Sequence, residues 1–208
     1  IGELLGKSKK EEVCVYCIPS KPIDVEREVS YHDDVLSTII ESYGYKAHKV
    51  EEAVALGYEG LVDNELTGVS ISMGAGMCNV AVMYQGMTAV SFAVSRGGDW
   101  IDNNVSMDTG VPVAKVSNIK ESSTQLDLTK GVMQDIYGES TEEFTVMHAL
   151  RSYYGALVNY LLVNLKAQFE GAANVPNFPK PVPIVIGGGT SLVKGFIEVF
   201  NEQFDPET

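Results

Sequence analysis

The chain has 208 residues, 45% hydrophobic and 21% charged, with a formal net charge of −13. That composition suits a globular protein with room for one large or two small domains. The acidic balance argues against nucleic acid or an anionic membrane surface as partner. No apolar run reaches bilayer-spanning length and no signal peptide opens the chain, so no transmembrane segment is expected. The sequence starts at Ile1 rather than Met, which reads as a fragment or processed piece.

In chain order, residues 11–18 predict a strand, stopped by Pro19-Ser20-Lys21-Pro22. Cys14 and Cys17 fall inside it at C-x-x-C spacing, but residues three apart on a strand point to opposite faces. With no second ligand pair and three scattered histidines, they read as core thiols of a reducing cytoplasm, and a cytoplasmic location is expected. Residues 24–43 predict a helix ended by Gly44, residues 45–50 a short strand, and residues 51–61 a second helix. The polar break Val62-Asp63-Asn64-Glu65 suggests a domain boundary, giving domains 1–65 and 66–208.

Residues 66–95 read as three consecutive antiparallel strands. Turns fall at Gly74-Ala75-Gly76 and Gln85-Gly86, and Val69, Ile71 and Met73 alternate as on a half-buried strand. Glycines at 74 and 76 let successive N–H groups converge in a nest suited to phosphate oxygens, although most such turns bind nothing. Arg96-Gly97-Gly98 closes the run, and Asp99 fits the N-cap of the next helix. Short helices are predicted at 113–121 and 126–136, and a long one over 141–169. After a proline-rich loop, Ile184-Val185-Ile186-Gly187-Gly188-Gly189-Thr190-Ser191 reads as a buried strand, a triple glycine and a helix opening. Three glycines leave bare backbone against which a flat ligand can lie, and the helix start offers free N–H groups. A tight strand-to-helix link capped by Thr190 or Ser191 explains the same residues.

The order of these segments resembles the actin-like ATPase superfamily, which includes actin, the bacterial rod-shape actins (MreB) and heat-shock chaperone ATPase domains. Ser72-Met73-Gly74-Ala75-Gly76-Met77-Cys78-Asn79-Val80 resembles the second phosphate motif, usually Asp-x-Gly-Gly-Gly-Thr-x-x-Val. Arg96-Gly97-Gly98-Asp99 resembles the Gly-Gly-Asp/Glu turn after that hairpin. Ile119-Lys120-Glu121 resembles the helix that contacts the nucleoside, and Gly187-Gly188-Gly189-Thr190-Ser191 the adenosine motif. The stretch from Lys49 to Gly57 resembles the connecting segment, usually Glu-Pro-x-Ala-Ala. The resemblance runs from residue 11 onward and is nearest to the rod-shape actins. It departs from the family in several places: the first phosphate motif is missing, Ala53 replaces a proline, Ser72 replaces the metal-orienting Asp, Ala75 the middle glycine and Met77 the phosphate-binding Thr.

The resemblance implies an α/β fold of layered mixed sheets flanked by helices, actin-like and ribonuclease-H-like. The chain would be the second half of domain I and most of domain II. It further implies ATP with Mg2+ as cofactors and slow hydrolysis by water attack on the γ-phosphate, coupled to filament assembly or cleft closure. Glu52 matches the acidic residue that positions the water, with a solvated helix-start residue as the alternative. Ser72, Gly74, Ala75, Gly76 and Met77 would meet the phosphates. Gly97, Gly98 and Asp99 would border the ribose or the metal's water shell, and Gly187, Gly188, Gly189 and Thr190 the adenine. Lys120 and Glu121 would flank sugar and base edge, or else form an ordinary solvated helix pair. Trp100, Tyr153, Tyr154 and Tyr160 read as packing. The implied partners are a nucleotide and further subunits in a filament. Two other functions remain open: a polymer-forming scaffold that has lost turnover, which Ser72 and Met77 favour, and a chaperone-type ATPase, disfavoured because no substrate-binding domain follows.

Overall fold

A computed structural model of the protein describes residues 2–10, 12–26, 30–122, 142–172, 176–178 and 180–204. The expected helix at 126–136 lies outside these residues. The chain divides into two compact units: residues 1–72, 79–95 and 174–186 form the first, and residues 73–78, 96–173 and 187–208 the second. Both are discontinuous in sequence, and the expected boundary at 62–65 falls inside the first.

The first unit opens with a helical turn, α1 (Gly2–Leu5), and contains a two-stranded parallel sheet of β1 (Val13–Ile18) and β2 (Lys46–Glu51), linked by α2 (Ser30–Ser42). Helix α2 starts later than residue 24 because tertiary pairing takes the segment before it. Ile23 N–H donates to Ala93 O (3.0 Å), Ala93 N–H to Lys21 O (3.0 Å), and Ser95 N–H to the Asp24 carboxylate. Cys14 is half-buried and Cys17 exposed, so only Cys78 is a core thiol. The other two sit on a strand whose sheet is too narrow to cover both its faces.

Strands β3 (Gly68–Met73), β4 (Cys78–Tyr84), β5 (Met87–Val94) and β6 (Ile184–Gly187) form a sheet in the order β5-β4-β3-β6. Strands joined by connections as short as those between β3, β4 and β5 run antiparallel. Gln85 and Gly86 both take positive φ (49° and 79°), as a two-residue hairpin turn requires. The expected half-buried strand is instead buried on both faces: all of β3 but Ser72 and all of β4 but Tyr84 are buried. Helix α3 (Glu52–Gly60) lies close on this sheet. A Cβ on Gly57 would stand 2.3 Å from Met83 Sδ, and one on Gly60 2.3 Å from Val185 Cγ2. Ala53, Val54, Leu61, Ala81 and Met83 form the core beneath it.

The second unit is mainly helical: α4 (Gly98–Thr109), α5 (Val113–Ser122), α6 (Glu142–Gly171) and α7 (Phe196–Gln203). Helix α6 supplies the central stripe Val146, Leu150, Tyr154, Leu157, Val158 and Leu161, and packs against α4, α5 and α7. Burying each such large side chain stabilises by about 1.5–3 kcal/mol before entropy is counted. The Arg96 guanidinium lies 3.7 Å from the Tyr160 ring centroid and 5.3 Å from that of Trp100, so these aromatics pack a cation rather than stand free. Among the described residues no helix is long and apolar enough to cross a membrane.

Candidate functional site

The two glycine corners meet inside the second unit. A Cβ on Gly188 would lie 2.4 Å from Met73 O, and Thr190 Oγ1 donates to Gly74 O at 2.9 Å. Gly188 takes φ +97°, a conformation glycine adopts without steric cost. The corners therefore touch at their base. Beside the contact opens a cavity of about 370 Å³, lined by Ala75, Gly98, Asp99, Lys120, Glu121, Tyr154, Gly189, Thr190, Leu192 and Val193. That volume lies within the range of small-molecule sites, roughly 300–1,000 Å³.

The hairpin tip is less of an amide nest than its glycines suggest. Gly74 N–H closes the turn onto Met77 O at 2.9 Å. Among the described residues, the N–H groups of Ala75 and Gly76 have no backbone partner, and both residues are exposed. Helix α4 begins two residues earlier than an Asp99 cap would place it, with Gly97 as N-cap. Gly98 N–H donates to Gly74 O (3.0 Å) and Asp99 N–H to Ala75 O (2.8 Å), so hairpin carbonyls occupy the helix start. The approach needs a bare backbone: a Cβ on Gly97 would sit 2.4 Å from Gly74 O.

The triple glycine likewise does not lead straight into an α-helix. One turn of 3-10 helix (Gly189–Leu192) follows, then extended backbone at Val193, and α7 starts only at Phe196 with Gly195 as N-cap. Ser191 Oγ donates back to Gly188 O, and neither Thr190 nor Ser191 caps a helix. Gly189 is open: nothing lies within 4 Å of where its Cβ would be.

Lys120 is not part of a solvated helix pair. Its side chain is 8% exposed and its ammonium lies 2.7 Å from Asp102 Oδ1 and 2.8 Å from Oδ2. Ser117 Oγ also donates to Asp102, at 2.6 Å. The cavity wall thus carries a neutralised cation, while Glu121, exposed on the same helix, is a free acceptor at its edge. Tyr154, read from sequence as packing, is fully buried, donates to Thr190 O at 3.1 Å and lines the cavity. Burial, and then the nearby Asp102 charge, raises its phenol pKa. Leu192 and Val193 were not singled out from the sequence either; Leu192 is 82% exposed at the cavity.

The remaining candidates lie off the cavity lining. Gly74, Gly76, Met77, Gly97, Gly187 and Gly188 belong to the same unit but do not line it. Ser72 closes the first unit's part of β3 and is half-buried. Glu52 is the first residue of α3, half-buried, and accepts from Asn79 Nδ2 at 3.0 Å. Among the described residues no group of three or more His, Cys, Asp or Glu could hold a metal ion.

Solved structures similar to this chain include the ethanolamine utilization protein EutJ from Carboxydothermus hydrogenoformans, at 18% identity over 97% of this chain and 60% of that one, TM-score 0.63. MreB5 of Spiroplasma citri bound to AMPPNP matches at 15% over 94% and 62%, TM-score 0.65. The MamK double helical filament matches at 15% over 97% and 63%, TM-score 0.68. The fold is therefore that of the actin-like ATPases, as the motif order implied. This chain spans about three-fifths of the length of those structures. It belongs to the Volactin family, whose model matches residues 1–208. No curated protein sequence matches it.

Proposed function

We propose that this chain is the nucleotide-binding part of an actin-like ATPase, binding ATP and hydrolysing it slowly in support of filament assembly. The observation that carries the proposal is the cavity of about 370 Å³, whose lining includes Ala75 and the bare backbone of Gly98 and Gly189. A flat purine suits that opening, with the apolar Leu192 and Val193 beside it and Glu121 as acceptor for a base or sugar donor. Lys120, already paired with Asp102, suits an uncharged nucleoside better than a phosphate. The free N–H groups of Ala75 and Gly76 are the donors offered to phosphate oxygens. Magnesium binds through one or two carboxylates plus substrate phosphates, so the ion would be carried chiefly by the nucleotide, supplying charge compensation. Glu52 is assigned to water positioning. What MreB5 binds and what MamK builds support the same reading, and a cytoplasmic location goes with it.

A polymer-forming scaffold without turnover is the second reading, favoured by Ser72 and Met77 where the family pattern has Asp and Thr. A neutral hydroxyl cannot supply a carboxylate's charge beside a metal–phosphate complex. The test is calorimetric titration of ATP and ADP, phosphate release and light scattering on the protein carrying this chain, with and without Ser72→Asp. Binding with slow turnover that rises with Asp supports a detuned ATPase. Polymer without turnover in either form supports the scaffold, and absence of nucleotide binding overturns the proposal.

A further inference from the structure

Asn79, on β4, is 1% exposed, and both halves of its amide are engaged. Its Oδ1 accepts from Ser20 N–H at 2.8 Å, and its Nδ2 donates to Glu52 Oε2 at 3.0 Å. A backbone N–H only donates and an ionised carboxylate only accepts, so the two contacts fix which way the amide faces. The neighbouring Glu51 is held by different donors. Its Oε2 accepts from Ser91 Oγ and from Ser20 Oγ, the latter at 3.2 Å. Two successive carboxylates at the start of one helix are thus held apart, with Ser20 as the common joint. Among the described residues Glu52 Oε1 has no hydrogen-bond partner.

From this geometry we propose that Asn79 is the positioning residue for Glu52. Its amide fixes the Glu52 side chain through Oε2 and leaves Oε1 as the oxygen that receives a water. The proposal rests on the assignment of Glu52 to water positioning. It requires a side chain that accepts and donates at once: aspartate keeps the contact to Ser20 but turns the donor facing Glu52 into a second acceptor, and alanine removes both.

The aspartate variant therefore has a pH signature of its own. Two facing carboxylates repel, and one proton shared between them recreates the lost donor. The other titratable groups on elements packed against α3 are Lys46, His48, Lys49 and Glu51 on β2, Cys14, Tyr16 and Cys17 on β1, Cys78 and Tyr84 on β4, and Asp63 in the 3-10 turn Val62–Asn64; β3, β5 and β6 have none. Of these, Lys49 and Tyr16 are engaged with Asp33, and Glu51 with the two serines.

The experiment is steady-state phosphate release from ATP by the protein carrying this chain, as wild type, Asn79→Ala, Asn79→Asp, Glu52→Gln and Asn79→Ala/Glu52→Gln, over about pH 5 to 9. Asn79→Ala is expected to lower kcat about tenfold to a hundredfold, the loss that goes with one hydrogen bond to a charged group, with KM little changed. Asn79→Asp should be slowest at the alkaline end and regain rate toward acid. In the Glu52→Gln background, Asn79→Ala should cost nothing further. If Asn79→Ala does not fold, Asn79→Asp, which still accepts from Ser20 N–H, carries the test. A slow Glu52→Gln enzyme beside Asn79 variants with wild-type kcat, or with a pH-independent loss, overturns the positioning role and spares the assignment of Glu52. Wild-type turnover in Glu52→Gln, or no turnover at all, removes that assignment and the proposal with it.

Discussion

Thr190 Oγ1 donates a 2.9 Å hydrogen bond to the carbonyl of Gly74, joining residues 116 apart in sequence. The same carbonyl accepts from Gly98 N–H, so three separate stretches of chain share one oxygen. The cavity wall is built around that junction, and the consequences for single substitutions differ sharply from residue to residue.

Neighbouring glycines should respond in opposite ways. Gly188→Ala places a Cβ 2.4 Å from Met73 O at a φ of +97°, and strain with a backbone clash should cost more than about 2 kcal/mol. Gly189→Ala meets nothing within 4 Å and should fold normally, while lowering nucleotide affinity if a base lies against that backbone. Urea unfolding and calorimetric titration of the two variants separate the effects.

Breaking the Lys120–Asp102 pair should be costly. Both side chains are below 10% exposed, at 8% and 4%. Lys120→Met would leave a buried carboxylate facing Ser117 alone, a change worth about 3–5 kcal/mol. The double variant Lys120→Met/Asp102→Leu removes both charges and should recover much of that loss, which urea midpoints can check.

Leu192→Ala should leave stability within about 0.5 kcal/mol, because an 82%-exposed side chain contributes little to the fold. Nucleotide affinity should fall several-fold if the side chain packs on the bound base. Unchanged affinity would remove Leu192 from the binding surface.

Thiol chemistry should follow burial. Cys17 should react with a disulfide reagent in the native protein, and Cys78 only after unfolding. Burial pushes the Cys78 thiol up to about 12. Because the unfolded thiol ionises first, its contribution is fully present below about pH 8.5 and is lost as pH rises toward about 12. Urea midpoints measured across that window should fall less in Cys78→Ala than in wild type.

The hairpin, the two glycine corners and the long helix were legible because their signals are local: alternation, small residues at turns, and helical spacing of apolar positions. The late start of α2 was not, because Lys21–Asp24 is held by β5 through contacts some 70 residues distant. Tyr154 and Leu192 carry no sequence signal beyond ordinary hydrophobicity; only the third dimension puts them beside Gly189 and Thr190. Asp102 and Lys120 sit on different helices, so no i,i+4 pattern announces their pairing. The Asn79–Glu52 contact spans 27 residues and was equally silent.

Gly97 imposes a constraint on how this protein can change over time. Its missing side chain is what admits the Gly74 and Ala75 carbonyls to the start of α4. A larger residue there would not be corrected by any single replacement nearby, since the obstruction is main chain. Substitutions at position 97 should therefore survive in descendants only alongside a re-formed loop at 74–76, so that the two segments are inherited as a set.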